Sequence, residues 1–166
     1  MILIAIGANL VAADGTRPLE TCRRAVTELG RLAGLRLTGV SRWYESAPVP
    51  PSGQDLYVNG VARLSAAPAD RTDPAELLMR LQAIERAHGR VRGAPNAART
   101  LDLDIVAMDD LIRTAPDPIV PHPRAHERAF VLLPLRDVAP GWVHPVLRQT
   151  AEAMLVRLPP QQIRAL

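Results

Sequence analysis

Two aspartates separated by a single residue are the strongest candidates for chemistry in this chain of 166 residues. Asp102 and Asp104 lie in the alternating stretch Leu101-Asp-Leu-Asp-Ile105, which predicts a β-strand with both carboxylates on one face. Neighbouring carboxylates repel each other unless a cation lies between them. Oxygen ligands with room for phosphate and water suit Mg²⁺. A solvent-exposed strand face that simply carries two acids explains these residues equally well.

Three arginines lie just before this strand, in a predicted loop. Arg90, Arg92 and Arg99 follow a helical segment and precede the two aspartates. Guanidinium groups hold phosphate oxygens and offset the charge that develops when a phosphoryl group is transferred, so arginines beside a metal site favour polyphosphate binding. A basic loop in contact with solvent is the simpler explanation of the arginines taken alone. The chain has no lysine, which excludes a Walker-type phosphate loop with its lysine.

A histidine and an arginine downstream of the strand form a second candidate group. His122 could contact a phosphate or an adenine ring, and Arg128 could hold a further phosphate. Pro123 interrupts the spacing between His122 and His126, which argues against a metal-binding helix built on these two histidines.

A third group combines aromatic and amide side chains. Tyr57 and Asn59 have the same parity on a predicted strand, and Phe130 lies beside Arg128. Two aromatic rings could hold a flat heterocycle between them, while Asn59 offers a donor and an acceptor to its edge. Core aromatics with an amide that satisfies the backbone explain the same residues at least as well.

The elements that must position these groups follow the order strand, helix, strand, strand, helix, strand. This order predicts an α/β (α+β) fold of the ferredoxin-like split βαβ type, a sandwich in which an antiparallel sheet carries helices on its faces. The hydrophobic spacing and the turn residues place these elements at about 2–6, 16–32, 35–43, 56–64, 73–88 and 101–107. Further helices are predicted at 124–135 and 150–157. We expect one domain over 1–166, with a core at about 2–140 and a C-terminal helical extension at about 141–166.

Composition limits the classes of protein that remain. All 20 basic residues are arginine, and 17 acidic residues leave a net charge of +3. This charge provides no continuous basic stripe, so we expect no nucleic-acid binding. No apolar run reaches the roughly 18 residues of a membrane span, so we expect no membrane association. A single cysteine, Cys22, excludes an internal disulfide. We expect a cytoplasmic protein and a monomer, with a dimer left open.

Together these segments resemble the 6-hydroxymethyl-7,8-dihydropterin pyrophosphokinase (HPPK) family of the folate pathway. The similarity spans about residues 2–140 in the family's order. The matching segments are Ile4-Ala-Ile-Gly-Ala-Asn-Leu10, Ser41-Arg-Trp-Tyr-Glu-Ser-Ala-Pro-Val49, Gln54-Asp-Leu-Tyr-Val-Asn59, Ile84-Glu85, Gly89-Arg-Val-Arg92, Arg99-Thr-Leu-Asp-Leu-Asp-Ile105, Pro121-His122 and Arg128-Ala-Phe-Val-Leu-Leu-Pro-Leu135.

The resemblance implies an enzyme that moves a pyrophosphoryl group from ATP, its co-substrate, to the hydroxymethyl oxygen of the dihydropterin and releases AMP. Asp102 and Asp104 would hold two Mg²⁺ that bridge the triphosphate, and Arg90 and Arg99 would be the catalytic arginines. The residues implied for the ATP site are Gln82, Glu85, Arg90, Arg92, Arg99, Ile105, His122 and Arg128. The residues implied for the pterin site are Ser46, Ala47, Val49, Tyr57, Asn59 and Phe130.

One segment departs from the family's pattern. Between Arg92 and Arg99 the chain reads Gly93-Ala-Pro-Asn-Ala-Ala98, which is one residue shorter than usual and lacks a further arginine and a Trp-Gly-Pro sequence. This loop would close over ATP. The alternative function is therefore a catalytically impaired HPPK-like module that binds pterin or nucleotide.

Overall fold

The computed structural model describes residues 1–66, 72–91 and 97–166. Within these ranges the chain forms strands and helices in the predicted order, followed by two further helices and a terminal strand. The elements are β1 (Ile2–Ala8), α1 (Pro18–Leu29), β2 (Leu35–Val40), β3 (Tyr44–Ser46), β4 (Tyr57–Ala66), α2 (Pro74–Ala87), β5 (Asp102–Met108), a 3₁₀ turn (Ala125–Glu127), α3 (Ala129–Val138), α4 (Ala151–Arg157) and β6 (Ile163–Ala165).

The strands form one antiparallel sheet in the order β5-β1-β4-β3-β6. The strand β2 also pairs with β4, along residues 62–66, whereas β3 pairs with residues 57–59. The segment predicted as one strand at 35–43 is therefore β2 alone, and β3 extends the same side of the sheet after a break. With β1 and β4 in the centre, this arrangement confirms the predicted fold.

Helices cover both faces of the sheet. The helices α1 and α2 pack on one face, against the apolar side chains of β1, β4 and β5 that include Leu103 and Ile105. The helices α3 and α4 pack on the other face, against residues that include Leu3 and Val106. Side chains alternate along a strand, so Asp102 and Asp104 lie on the same face as Val106, the face of α3.

Local signals in the sequence determine where α2 begins and ends. The Asp73 carboxylate accepts hydrogen bonds from the Ala75 N–H at 2.8 Å and the Glu76 N–H at 3.0 Å, and Pro74 occupies the first turn. Gly89, with φ of +75°, follows the end of the helix. The predicted start at Asp73 is confirmed, and the chain leaves α2 directly towards Arg90.

The C-terminal extension contributes a strand as well as a helix. The Thr150 hydroxyl accepts a hydrogen bond from the Ala153 N–H at 3.2 Å and begins the predicted helix α4. The chain then returns to the sheet, where β6 pairs with β3 and forms its outer edge. In the ranges given above, no helix is both long and apolar enough to cross a membrane.

Candidate active site

A cavity of about 320 Å³ lies where β1 and β3 end and where β4, β5 and α3 begin. This volume is in the range of small-ligand pockets. The structure brings twelve of the residues implied by the resemblance to its walls. These are Ser46, Ala47, Val49, Tyr57, Asn59, Arg90, Arg99, Asp102, Asp104, His122, Arg128 and Phe130.

The arginines of the cavity converge on the first aspartate of β5. The Arg90 Nη1 atom lies 2.6 Å from Asp102 Oδ1, and the Arg99 guanidinium binds Asp102 Oδ2. Both guanidinium groups are largely buried, so these contacts are charge-assisted hydrogen bonds in a partly desolvated setting. The two arginines are therefore held at the same point of the cavity.

A buried glutamate behind the cavity wall holds Arg90 from the other side. Glu85 is 3% exposed, and its Oε1 accepts a hydrogen bond from the Leu103 N–H at 2.8 Å and another from Arg90. Burial raises the pKa of Glu85, while the bonds from Leu103 and Arg90 act in the opposite direction. Glu85 thus links the end of α2 to β5 through Arg90, and it does not itself line the cavity.

The second aspartate of β5 carries a charge that the surrounding residues do not fully offset. Burial and the neighbouring charge of Asp102 raise the pKa of Asp104 to about 6. Among the described residues, His122 lies beside Asp104, with its Nε2 3.9 Å from Asp104 Oδ2. Two oxygen-donor carboxylates on one strand face, one of them with a raised pKa, fit the chemistry of a hard cation such as Mg²⁺.

The imidazole of His122 is neutral and its tautomer is determined by a backbone contact. Burial, together with the charges of Arg128 and Arg124, lowers the pKa of His122 to about 4. Its Nδ1 accepts a hydrogen bond from the Arg124 N–H at 3.1 Å. The proton therefore resides on Nε2, which offers a hydrogen-bond donor beside Asp104.

Arg128 is a half-buried cation without a paired carboxylate in the part of the chain that the structure describes. Burial and the charge of Arg124 lower the pKa of Arg128. Its guanidinium carbon lies 5.5 Å from the centre of the Phe130 ring. A desolvated guanidinium at a cavity wall is suited to an anionic ligand.

The opposite half of the cavity is neutral. The Asn59 Nδ2 donates to Ser46 Oγ at 2.9 Å and to the Tyr57 carbonyl at 3.1 Å, which fixes the orientation of this buried amide. The rings of Tyr57 and Phe130 both line the cavity. The geometry thus provides apolar ring surfaces and a fixed polar edge for a flat polar molecule.

The two halves meet across a glycine of the central strand. In the sheet, Gly7 pairs with Asn59 on one side and with Asp102 on the other. A Cβ atom at this position would lie 3.6 Å from Asn59 Oδ1 and 3.9 Å from the Asp102 Cβ. The absence of a side chain on Gly7 leaves the charged and the neutral halves open to each other.

Three of the residues implied for the ATP site do not line this cavity in the structure, and the structure does not describe a fourth. Glu85 acts through Arg90, as described above, and Ile105 packs in the core between the sheet and α2. Gln82 is half-buried on α2. Arg92 lies outside the described residues. Contacts of these four residues with a nucleotide remain predictions.

Sequence patterns alone did not identify Asn9 as a site residue. Asn9 is 2% exposed, and its Oδ1 accepts a hydrogen bond from the Arg99 N–H at 2.8 Å. Its Nδ2 lies 3.2 Å from Gln54 Oε1, which also accepts a hydrogen bond from the Tyr57 hydroxyl at 3.1 Å. The signal in the sequence was the position of Asn9 directly after a buried apolar strand, because a buried side-chain amide needs hydrogen-bond partners. Asn9 connects the arginine half to the ring half.

Comparison with known proteins assigns this chain to a family. The family model described as 7,8-dihydro-6-hydroxymethylpterin-pyrophosphokinase (HPPK) matches residues 3–140. The chain therefore belongs to the HPPK family, as the resemblance indicated.

Curated relatives agree with this assignment. A protein of Pseudomonas aeruginosa named 2-amino-4-hydroxy-6-hydroxymethyldihydropteridine pyrophosphokinase is 42% identical over 139 residues, which are 84% of this chain and 80% of the relative. The protein of the same name from Haemophilus influenzae is 34% identical over 164 residues, 95% of this chain and 97% of the relative. The similarity thus extends through most of the C-terminal extension.

Solved structures agree with the fold. The crystal structure of Plasmodium falciparum HPPK-DHPS A437G with SDX-DHP is 13% identical, with a TM-score of 0.61 over 94% of this chain. A second HPPK-DHPS structure, solved in complex with substrates, gives a TM-score of 0.60 over 92% of this chain. The chain spans only 42% of each of these longer proteins, so the likeness concerns the fold of one part of them.

Proposed function

We propose that this chain is an active 2-amino-4-hydroxy-6-hydroxymethyldihydropteridine pyrophosphokinase. It transfers the β,γ-pyrophosphoryl group of ATP to the hydroxymethyl oxygen of 6-hydroxymethyl-7,8-dihydropterin and releases AMP. The observation that carries the proposal is one cavity with a carboxylate and arginine half and a neutral ring half. A phosphate donor and a flat heterocyclic acceptor can meet there across Gly7.

The charged half holds the triphosphate. Asp102 and Asp104 are the ligands for two Mg²⁺, which when bound neutralise phosphate charge and orient the transferred group. Arg128 and the Nε2–H of His122 donate to phosphate oxygens, since both are half-buried at the cavity wall and Arg128 has no carboxylate partner among the described residues. Bound Mg²⁺ would offset the negative charge of the two aspartates, and the triphosphate would offset the positive charge of Arg128.

Arg90 and Arg99 stabilise the pyrophosphoryl group during its transfer. Both guanidinium groups already converge on Asp102, so they require little reorganisation to face a phosphoryl group beside that carboxylate. Negative charge accumulates on the transferred phosphoryl oxygens and on the AMP leaving group, and positioned guanidinium groups offset it. The acceptor hydroxymethyl oxygen forms a bond to the β-phosphorus as the bond between that phosphorus and the AMP oxygen breaks, and the hydroxyl proton is released to water.

The neutral half positions the acceptor. Tyr57 and Phe130 hold the pterin ring between them, and Asn59, whose amide is oriented by Ser46, binds the edge of the ring. Backbone groups of Ala47 and Val49 bind the same edge. The enzyme works as a monomer in the cytoplasm, with these two small molecules as its substrates.

One assay tests the proposal directly. The protein is mixed with ATP, Mg²⁺ and 6-hydroxymethyl-7,8-dihydropterin, and the nucleotide products are separated. We expect AMP and a pyrophosphorylated pterin in equal amounts, and no AMP when Mg²⁺ is chelated. Formation of ADP, or AMP formation that does not depend on the pterin, would contradict the proposal.

The unusual sequence of 93–98 favours a second candidate, an impaired module that binds its ligands without turnover. Calorimetry of pterin binding, combined with the AMP assay, distinguishes the two functions. An impaired module binds the dihydropterin in the presence of a non-hydrolysable ATP analogue and releases no AMP from ATP. An active enzyme binds the dihydropterin in the same assay and also releases AMP from ATP.

A further inference from the structure

A glutamine of the C-terminal segment makes two hydrogen bonds to the wall of the cavity that carries Arg128 and Phe130. The Gln161 Oε1 accepts a hydrogen bond from the Ala129 N–H at 2.9 Å. The Gln161 Nε2 donates to the Glu127 carbonyl at 2.9 Å. A single side-chain amide thus holds the backbone immediately before and after Arg128.

The contact with Gln161 provides a hydrogen-bond acceptor at the start of α3, where the side chain of the N-cap residue provides none. Arg128 is the N-cap of α3, a position where a side-chain oxygen ordinarily accepts a hydrogen bond from the first turn. A guanidinium has only donors, so Arg128 cannot satisfy this need, and its side chain faces the cavity. Gln161, distant in the sequence, supplies the missing acceptor to Ala129.

The same segment is also attached to the opposite wall. The next residue, Gln162, accepts a hydrogen bond from the Ala47 N–H at 3.1 Å through its carbonyl. The strand β6 then pairs with β3, and Arg164 binds the Glu45 carboxylate at 2.9 Å. Ser46 and Ala47 at the end of β3 line the cavity. Residues 161–165 therefore connect the wall at Ser46 and Ala47 to the wall at the start of α3.

We infer that Gln161 is a positioning residue of the acceptor pocket. By fixing the backbone around Arg128 relative to the end of β3, it determines how far Phe130 lies from the groups that bind the edge of the ring. This role rests on the proposed function, because it assigns the pterin to the space between these two walls. It gives the C-terminal extension a part in substrate binding, although Gln161 does not itself line the cavity.

Steady-state kinetics with Gln161→Ala test the role. We expect the KM for the dihydropterin to rise about tenfold, as the loss of two hydrogen bonds that orient the pocket predicts, while kcat per folded enzyme changes less than threefold. Gln161→Met keeps the volume of the side chain without its hydrogen bonds and should show the same rise. Circular dichroism and thermal unfolding give the folded fraction of each variant, so lost activity from unfolding is counted separately.

Gln149→Ala is the matched control. Gln149 is a half-buried glutamine of the same extension that does not line the cavity, and we expect its substitution to leave both kinetic constants within twofold of the wild type. The inference is overturned if Gln161→Ala lowers only the unfolding temperature, if Gln161→Met behaves as the wild type, or if Gln149→Ala causes the same rise in KM. The wild type is measured alongside, and its failure to form AMP would count against the proposed function. In that case calorimetric Kd values for the dihydropterin replace KM, and the same comparison decides the inference.

Discussion

The two halves of the cavity are held together by different forces. In the charged half, Arg90 and Arg99 form ion pairs with the Asp102 carboxylate, and Arg90 also binds Glu85. In the neutral half, Asn59 and Ser46 belong to different strands and are joined by a hydrogen bond of 2.9 Å. Ion pairs thus hold the first half, and a hydrogen bond between uncharged side chains of two strands holds the second.

Because the two halves are held by different forces, we expect substitutions in each half to change a different kinetic constant. Electrostatic interactions in a desolvated site are strong, and removal of one charge leaves its partners buried and unpaired. The neutral half depends on the distance between walls, since ring contacts and hydrogen bonds need close geometry. We therefore expect charge substitutions to reduce kcat and substitutions in the neutral half to raise KM for the pterin.

The largest effect is expected for Asp102→Asn. This substitution keeps the shape of the side chain but removes a predicted metal ligand and the shared partner of Arg90 and Arg99. We expect kcat to fall by about a thousandfold or more, measured as AMP released per folded enzyme. Asp110→Asn, at an exposed turn after β5, is the control and should leave kcat unchanged. Turnover near the wild-type value in Asp102→Asn would remove Asp102 from the metal site.

A smaller loss is expected for Arg99→Lys. Lysine retains the positive charge but not the fork that contacts Asp102 and, in our proposal, a phosphoryl oxygen. We expect kcat to fall about a hundredfold, with the KM for the pterin within threefold of the wild type. Arg157→Lys, on the exposed side of α4, tests for a general effect of replacing arginine. A rise in KM for the pterin as large as the loss in kcat would show that the two halves are not separate.

The neutral half is tested by Phe130→Ala. Loss of one ring removes a stacking surface of the pocket and leaves the carboxylates untouched, so we expect the KM for the dihydropterin to rise about tenfold to thirtyfold. The KM for ATP should change less than threefold. Both constants come from initial rates at saturating concentrations of the other substrate. Equal increases in both constants would mean that Phe130 acts on the whole site through Arg128.

Sequence patterns predicted the aspartates of the charged half far better than the contacts that hold the cavity walls in place. Alternation along β5 places Asp102 and Asp104 on one face whatever the tertiary fold, so their proximity needed only the periodicity of a strand. The N-cap at Asp73 was predictable for the same reason, since the contact is local.

Contacts between distant segments were not predictable in this way. The strand β6, the contact of Gln161 with α3 and the position of Asn9 between Arg99 and Gln54 depend on which elements pack together. Hydrophobic periodicity does not encode these pairings. The hydrophobic spacing and the turn residues predicted the order of the elements, and the structure supplied the contacts of the extension.

The last effect concerns stability rather than rate, and it arises where the charged half contains a neutral group. Burial lowers the pKa of His122 from 6.5 to about 4, so the unfolded chain binds a proton there between these pH values and the folded chain does not. The contribution of neutral His122 to the unfolding free energy is therefore fully present above pH 6.5 and is lost as the pH falls. By pH 4 the loss amounts to about 3 kcal/mol.

Comparison with His122→Asn isolates this contribution. The asparagine Oδ1 can accept the hydrogen bond from the Arg124 N–H in place of Nδ1, but asparagine does not titrate. Asp104, with its pKa raised to about 6, changes stability in the opposite direction, and this term is present in both proteins. Urea unfolding at pH 7, 5.5 and 4 should show the wild type losing about 3 kcal/mol relative to the variant as the pH falls. A constant difference between the two proteins would mean that His122 takes up its proton at the same pH in the folded and the unfolded chain, and the lowered pKa assigned to it beside Asp104 would then be wrong.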